Sequence, residues 1–187
     1  MNAFVDLSEV HLETERLILR PFTMDDLDDF YAYAKVPDVG EWAGWRHHES
    51  IEESRKILTS FISGKKTFAL VDKATSRVIG SLGIEVTHIP LPESYRTLKG
   101  RELGYVLAQD MWGKGLMSEA VKAVIDYCFN TLNFDFLTCG HFERNIRSKR
   151  VIEKAGFRYL GTSIYLTQYG TMENNPYYVL DNPCRAQ

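Results

Sequence analysis

The stretch GYVLAQDMWGKGLMSEAVKAVIDYCF, Gly104–Phe129, opens on an apolar run of strand character, passes two closely spaced glycines and ends at helical spacing. In its second half Met117, Val121, Val124, Cys128 and, just beyond, Leu132 return on one side, with Glu119, Lys122, Asp126 and Asn130 on the other. FDFLTCGHF, residues 134–142, then reads as another strand. Strand, glycine turn, helix and strand in this order predict a parallel βαβ step from Leu103 to Phe142.

Working outward, RLILRPF (16–22) places Leu17 and Leu19 on one face of a strand closed by Pro21. Thr23 is positioned to cap a helix with Leu27, Phe30, Tyr31 and Ala34 as its apolar stripe. Asp25, Asp26, Asp28 and Asp29 are then expected on a solvated face near the positive end of that helix. VPDVGEWAGWRHHES (36–50) has no period and reads as a loop before a second helix from Ser50 to Ile62. KTFALVD (66–72) and RVIGSLGIEVTHI (77–89) suggest an antiparallel hairpin, and PLPESYRTLKG (90–100) a surface loop. NIRSKRVIEKAG (145–156) reads as a short helix with Asn145 as N-cap and Gly156 past its end; FRYLGTSIYL (157–166) and NPYYVLD (175–181) read as strands. The expectation is one α/β (α+β) domain over residues 1–187, with helices covering a mixed sheet.

With 187 residues and a hydrophobic share of 44%, the chain can bury a core of its own. A net charge of -3 argues against general binding to nucleic acid, which requires a surplus of Lys and Arg. Cys128, Cys139 and Cys184 are odd in number and lack ligand spacing, so neither a disulfide framework nor a metal site is expected, and a reducing cytoplasm is. No segment approaches the ~18 apolar residues of a membrane span, so no membrane association is expected.

A glycine turn opening a helix suits phosphate, because the first helical N–H groups are unsatisfied and carry partial positive charge. The Walker pattern G-x-x-x-x-G-K-[ST] does not occur here. GKGLMS matches a dinucleotide fingerprint loosely, with Asp135 downstream, but a long segment precedes it and Asp135 would begin its strand rather than end it. A tight turn using glycine only for its dihedrals is the remaining structural alternative.

DMWGKG, residues 110–115, resembles the pyrophosphate loop Q/R-x-x-G-x-G/A of the GNAT superfamily of N-acetyltransferases, with Asp110 where Gln or Arg is usual. ETERLILRPFTMDDLDDFY (13–31), ELGYVL (102–107) and ERNIRSKRVIEKAGFRYLG (143–161) are similar to segments of the subgroup of Rim-type ribosomal-protein N-terminal acetyltransferases, in the same order. The resemblance runs from about residue 12 to 180. It implies a GNAT-like, largely antiparallel central sheet of about six or seven strands flanked by about four helices. It also implies acetyl-CoA as co-substrate, no metal, and direct attack by a primary amine in a cleft between two splayed strands.

Residue by residue, the resemblance assigns the pyrophosphate to the N–H groups of Trp112, Gly113, Lys114, Gly115 and Leu116, with Lys114 adding charge. Leu107 corresponds to the strand whose main chain pairs with pantetheine. Asn145 and Ser148 match N-x-x-S, the Asn on the pantetheine arm and the Ser near the sulfur as proton donor; as a plain N-cap and first-turn residue the two need no ligand. Arg144, Arg147, Lys149 and Arg150 form a basic cluster suited to a 3′-phosphate. Glu102 is the candidate base and Glu85 its rival on the neighbouring strand. Trp42 and Trp45, with His47 and His48, are candidates for acceptor recognition. Cys139 is expected in the core rather than as a nucleophile.

The acceptor expected from the subgroup is a protein or peptide α-amine; small amines (polyamine, aminoglycoside, amino acid) and a non-catalytic acyl-CoA sensor are the alternatives. At pH 7 roughly a tenth of an α-amine is neutral but well under a thousandth of a lysine amine, so an α-amine needs only a weak base. A monomer or homodimer fits either reading.

Overall fold

The computed structural model describes residues 2–184. Eight strands form one sheet: β1 Leu12–Glu13, β2 Leu17–Pro21, β3 Thr67–Asp72, β4 Val78–Glu85, β5 Gly100–Leu107, β6 Phe136–Gly140, β7 Arg158–Leu166 and β8 Met172–Asp181. Their order is β1-β2-β3-β4-β5-β6-β8-β7, antiparallel throughout except for the parallel pair β5 and β6. Four α-helices accompany them: α1 Leu27–Ala34, α2 Ile51–Gly64, α3 Leu116–Asp126 and α4 Ile146–Lys154. The mixed, largely antiparallel α/β architecture is the expected one, with one strand more than anticipated. The addition is β1, whose two residues are too short to carry a periodic signal.

Leu17, Leu19, Phe68, Leu70, Leu82 and Ile84 are fully buried, and every residue of β3 is buried, so both faces of the middle of the sheet are covered. α1 packs on α2 and β4, and α3 against β1 and β2. α3 begins at Leu116 because Gly115, its N-cap, takes φ +79°, outside the helical region. The stripe continues past Asp126 through a π turn, Tyr127–Thr131, which buries Cys128. Among the described residues no helix is long and apolar enough to cross a membrane.

The acidic run of residues 25–29 departs from the expected solvated face at Asp29, half-buried and accepting the Val78 N–H at 2.9 Å, and most of all at Asp26. Asp26 is buried at 6% exposure, in a 3-10 turn that precedes α1. Its carboxylate accepts both guanidinium nitrogens of Arg20, at 2.6 and 2.8 Å, and the Thr23 N–H at 2.8 Å. Burial alone would raise this carboxyl; Arg20 and the Thr23 amide outweigh it and hold it below its ordinary value. The stripe of α1 shifts accordingly, with Leu27, Phe30, Tyr33 and Ala34 buried and Tyr31 only half-buried. Asp26→Ala leaves a half-buried guanidinium without its carboxylate and the Thr23 N–H without its acceptor, and is expected to cost about 2 kcal/mol, read as a lowered melting temperature. Because the folded carboxyl is depressed, that contribution is present above the unfolded carboxyl's pKa and is lost as pH falls through the folded value. Wild type and variant should therefore converge in acid.

Candidate active site

The cleft exists because β5 outruns its parallel partner. β5 and β6 pair only from Gly100↔Phe136 to Leu103↔Cys139, while β5 remains paired to β4 as far as Gly80↔Leu107. The Ala108 N–H donates to the Ile79 carbonyl at 2.7 Å, so even-numbered peptide groups of β5 face β4. Odd-numbered ones face the other way: the Leu103 carbonyl accepts the Cys139 thiol at 3.2 Å, and the Leu107 carbonyl accepts the Trp112 indole N–H at 2.8 Å. By that alternation the Tyr105 peptide groups and the Leu107 N–H point along an edge with no neighbouring strand. The resulting cleft has a volume of about 830 Å³, a size suited to an extended small molecule.

At one end lies the glycine turn. Gly113 and Gly115 adopt φ +78° and +79°, with open space where a Gly113 side chain would stand. Both glycines, Leu116, Met117 and Ser118 line the cleft. Trp112 lines it too but differs from expectation at its amide, which donates to the Gln109 carbonyl at 3.2 Å; the loop's available donors therefore start at Gly113. Lys114 is outside the cleft lining, its ammonium 3.5 Å from Met111 Sδ.

On the opposite wall Asn145 caps α4, its Oδ1 accepting the Ser148 N–H at 3.1 Å, while its Nδ2 donates to the Trp42 carbonyl at 3.2 Å. Ser148 Oγ lies 2.9 Å from the Tyr105 hydroxyl. Sequence reasoning missed Tyr105, which within GYVL reads as one more strand aromatic. Burial raises the Tyr105 phenol well above its ordinary value, so it remains protonated and able to donate. Arg147 stacks over Trp112 at 4.0 Å and over Trp42 at 5.0 Å, and Arg144 over Trp42 at 4.4 Å. Trp42 lines the cleft. Trp45 does not: its ring packs on Gly40 and His48, 5.2 Å between centroids, which anchors the loop instead of facing an acceptor.

Glu102 and Glu85 are direct cross-strand partners, and both line the cleft. They are electrostatically unlike. Glu85 is paired with Lys66, whereas Glu102 accepts the His88 N–H at 3.0 Å and makes no ion pair among the described residues. Burial raises the Glu102 carboxyl above its ordinary value, against the pull of the His88 amide and side chain and with a further push from Glu85. Gly104, two residues on and on the same face, leaves open space beside it. Cys139 lines the cleft with 2% exposure, its thiol pushed up by burial and bonded to a carbonyl, as a packing residue. His141 Nδ1 lies 2.8 Å from the Phe142 carbonyl and Nε2 3.1 Å from the Tyr178 hydroxyl, both ring nitrogens being engaged within the protein. Among the described residues no cluster of His, Cys, Asp or Glu is arranged to hold a metal ion.

Residues 16–158 match the family described as acetyltransferase (GNAT) domain. The chain belongs to the GNAT acetyltransferase family. As a GNAT protein it is an acetyl-CoA-dependent acetyltransferase, and several of its relatives bear N-acetyltransferase names. It is 28% identical over 171 residues to the uncharacterized N-acetyltransferase YoaA of Bacillus subtilis, covering 89% of this chain and 91% of that one. Among solved structures, ribosomal-protein-S5-alanine acetyltransferase of Vibrio fischeri superposes with a TM-score of 0.71 at 22% identity, over 94% of this chain and 98% of the other. RimJ of Mycobacterium smegmatis, solved with CoA-disulfide, gives 0.71 at 20% identity, over 91% and 84%.

Proposed function

We propose that this GNAT enzyme acetylates the α-amine of a peptide or protein N-terminus. The observation that carries this reading is the charge of the cleft. Its carboxylates are Glu85 and Glu102, of which Glu85 is neutralised by Lys66, while Arg147, Arg150 and Lys154 also line it. A polyamine or aminoglycoside carries several positive charges and needs several free carboxylates; a single amine needs one. Ile164 and Tyr165 of β7, 63% and 42% exposed, flank the same cleft and offer apolar contact to residues following an amino terminus.

In this reading the peptide groups of Tyr105 and the Leu107 N–H hold the pantetheine arm, and the N–H groups from Gly113 to Leu116 hold the pyrophosphate. Asn145 fixes the first turn of α4, and Trp42 joins the acceptor loop to it. Glu102 takes up the proton released as the amine attacks. The Tyr105 and Ser148 hydroxyls supply a proton to the departing sulfur. Tyr105→Phe and Ser148→Ala should each lower kcat about tenfold or more with the KM for acetyl-CoA unchanged. The double variant should be no worse than either single one if the hydroxyls act as a unit.

The test of the function is an acetyl-transfer assay with N-terminal peptides against spermidine, an aminoglycoside and free amino acids. Peptides should give the highest kcat/KM. A preference for a polycation would overturn the acceptor assignment, and acetyl-CoA binding with no transfer to any amine would favour a sensor.

A further inference from the structure

Apart from Arg16, no side chain packs over the positions where Gly113 and Gly115 would carry one. Both glycines sit at positive φ, nothing lies within 4 Å of a side chain built at Gly113, and Gly115 has only Arg16 Nη2, at 3.7 Å. Glycine is the residue type with the most backbone freedom to lose, so contacts that fix the turn in advance lower the cost of ordering it on a ligand. Here they come from outside the cleft. Arg16, preceding β2, donates from Nη1 to the Lys114 carbonyl at 2.9 Å. The same guanidinium pairs with Glu119 in the first turn of α3, at 2.7 Å from Nε and 2.6 Å from Nη2. Glu119 Oε1 also accepts the Arg16 N–H at 2.8 Å and the Thr14 hydroxyl at 2.6 Å.

We propose that Arg16, held by Glu119, is a positioning residue for the pyrophosphate donors of the turn. The peptide joining Lys114 to Gly115 is trans, so its C=O and N–H point in opposite directions. Fixing the Lys114 carbonyl on Arg16 therefore fixes the Gly115 N–H away from Arg16. The cleft is lined by Gly113 and Gly115 but not by Lys114, consistent with a grip from behind. Arg16 also neutralises Glu119, whose negative charge in the first turn of α3 would otherwise repel an anion at the helix start.

The inference rests on reading this cleft as the acetyl-CoA site, and the test separates the two by comparing acetyl-CoA with S-acetyl-pantetheine, which keeps the thioester and arm but lacks the pyrophosphate. Arg16→Ala should raise the KM for acetyl-CoA about tenfold, leave kcat unchanged and leave the KM for S-acetyl-pantetheine unchanged. Arg16→Lys, which can reach the carbonyl but not fork to both partners, should fall between. Glu119→Gln keeps an acceptor for Thr14 and should show a smaller shift confined to acetyl-CoA; it carries the test if Arg16→Ala fails to fold. Equal losses on both donors, or no loss on either, would overturn the role of Arg16. Absence of acetyl-CoA binding by the wild-type protein would overturn the reading of the cleft itself.

Discussion

Glu102→Gln is expected to lower kcat/KM by about a hundredfold or more while making the folded protein more stable at pH 7. Both effects come from one environment. The carboxyl is half-buried beside Glu85 and is raised above its ordinary value by desolvation, so the ionised form that accepts a proton is also the form the fold tolerates least. In the pH window between the unfolded value, about 4.3, and the raised folded value, the native state binds more protons than the unfolded chain. Stability falls across that window as pH rises and stays lower above it. Glutamine removes the charge, keeps an acceptor for the His88 N–H and abolishes the base. Melting curves should show the variant above wild type at pH 7 and level with it at pH 4. In the pH profile, wild-type kcat/KM should fall on the acid side as Glu102 protonates, and the variant should lose that limb and retain only the limb of the acceptor amine. Undiminished activity in the variant would remove Glu102 from the mechanism and turn attention to Glu85.

Gly115→Glu should weaken acetyl-CoA binding more than about a hundredfold, roughly 2.7 kcal/mol, by titration calorimetry. Two costs fall on different states. A side chain at φ +79° strains the folded protein by about 1–2 kcal/mol whether or not ligand is bound, whereas a carboxylate at this helix start repels the pyrophosphate only in the complex. Gly115→Ala separates them: it should lower the melting temperature while retaining most of the affinity, since the nearest atom to its methyl is Arg16 Nη2 at 3.7 Å. Equal binding losses in the two variants would place the effect in the shape of the turn rather than in its charge.

The step from β5 through α3 to β6 was legible because each of its signals is local: alternation, two glycines, then an apolar stripe. Asn145 as a cap and Gly156 at φ +88° were legible for the same reason. What escaped depends on tertiary contact. Asp26 reads as one carboxylate among four, and only the approach of Arg20 across the turn marks it as buried. Trp42 and Trp45 share one irregular loop, and only folding sends the first to the cleft and the second inward. The Arg16–Glu119 pair spans 103 residues and has no periodicity to betray it. Glu85 and Glu102 are equivalent as strand glutamates until Lys66 neutralises the first.

The split between β5 and β6 has a mechanical side. Four register pairs, Gly100↔Phe136 to Leu103↔Cys139, form the seam between the five strands β1–β5 and the three strands β6, β7 and β8. Thr138 Oγ1 and Cys139 Sγ stitch it further, onto the Arg101 and Leu103 carbonyls at 3.4 and 3.2 Å. A ligand lying along the exposed edge of β5, as proposed for the pantetheine arm, would lengthen that seam as an added strand would and brace the two blocks against each other. Substrate engagement would then stiffen the sheet, and the amides flanking the seam are where hydrogen exchange would register it.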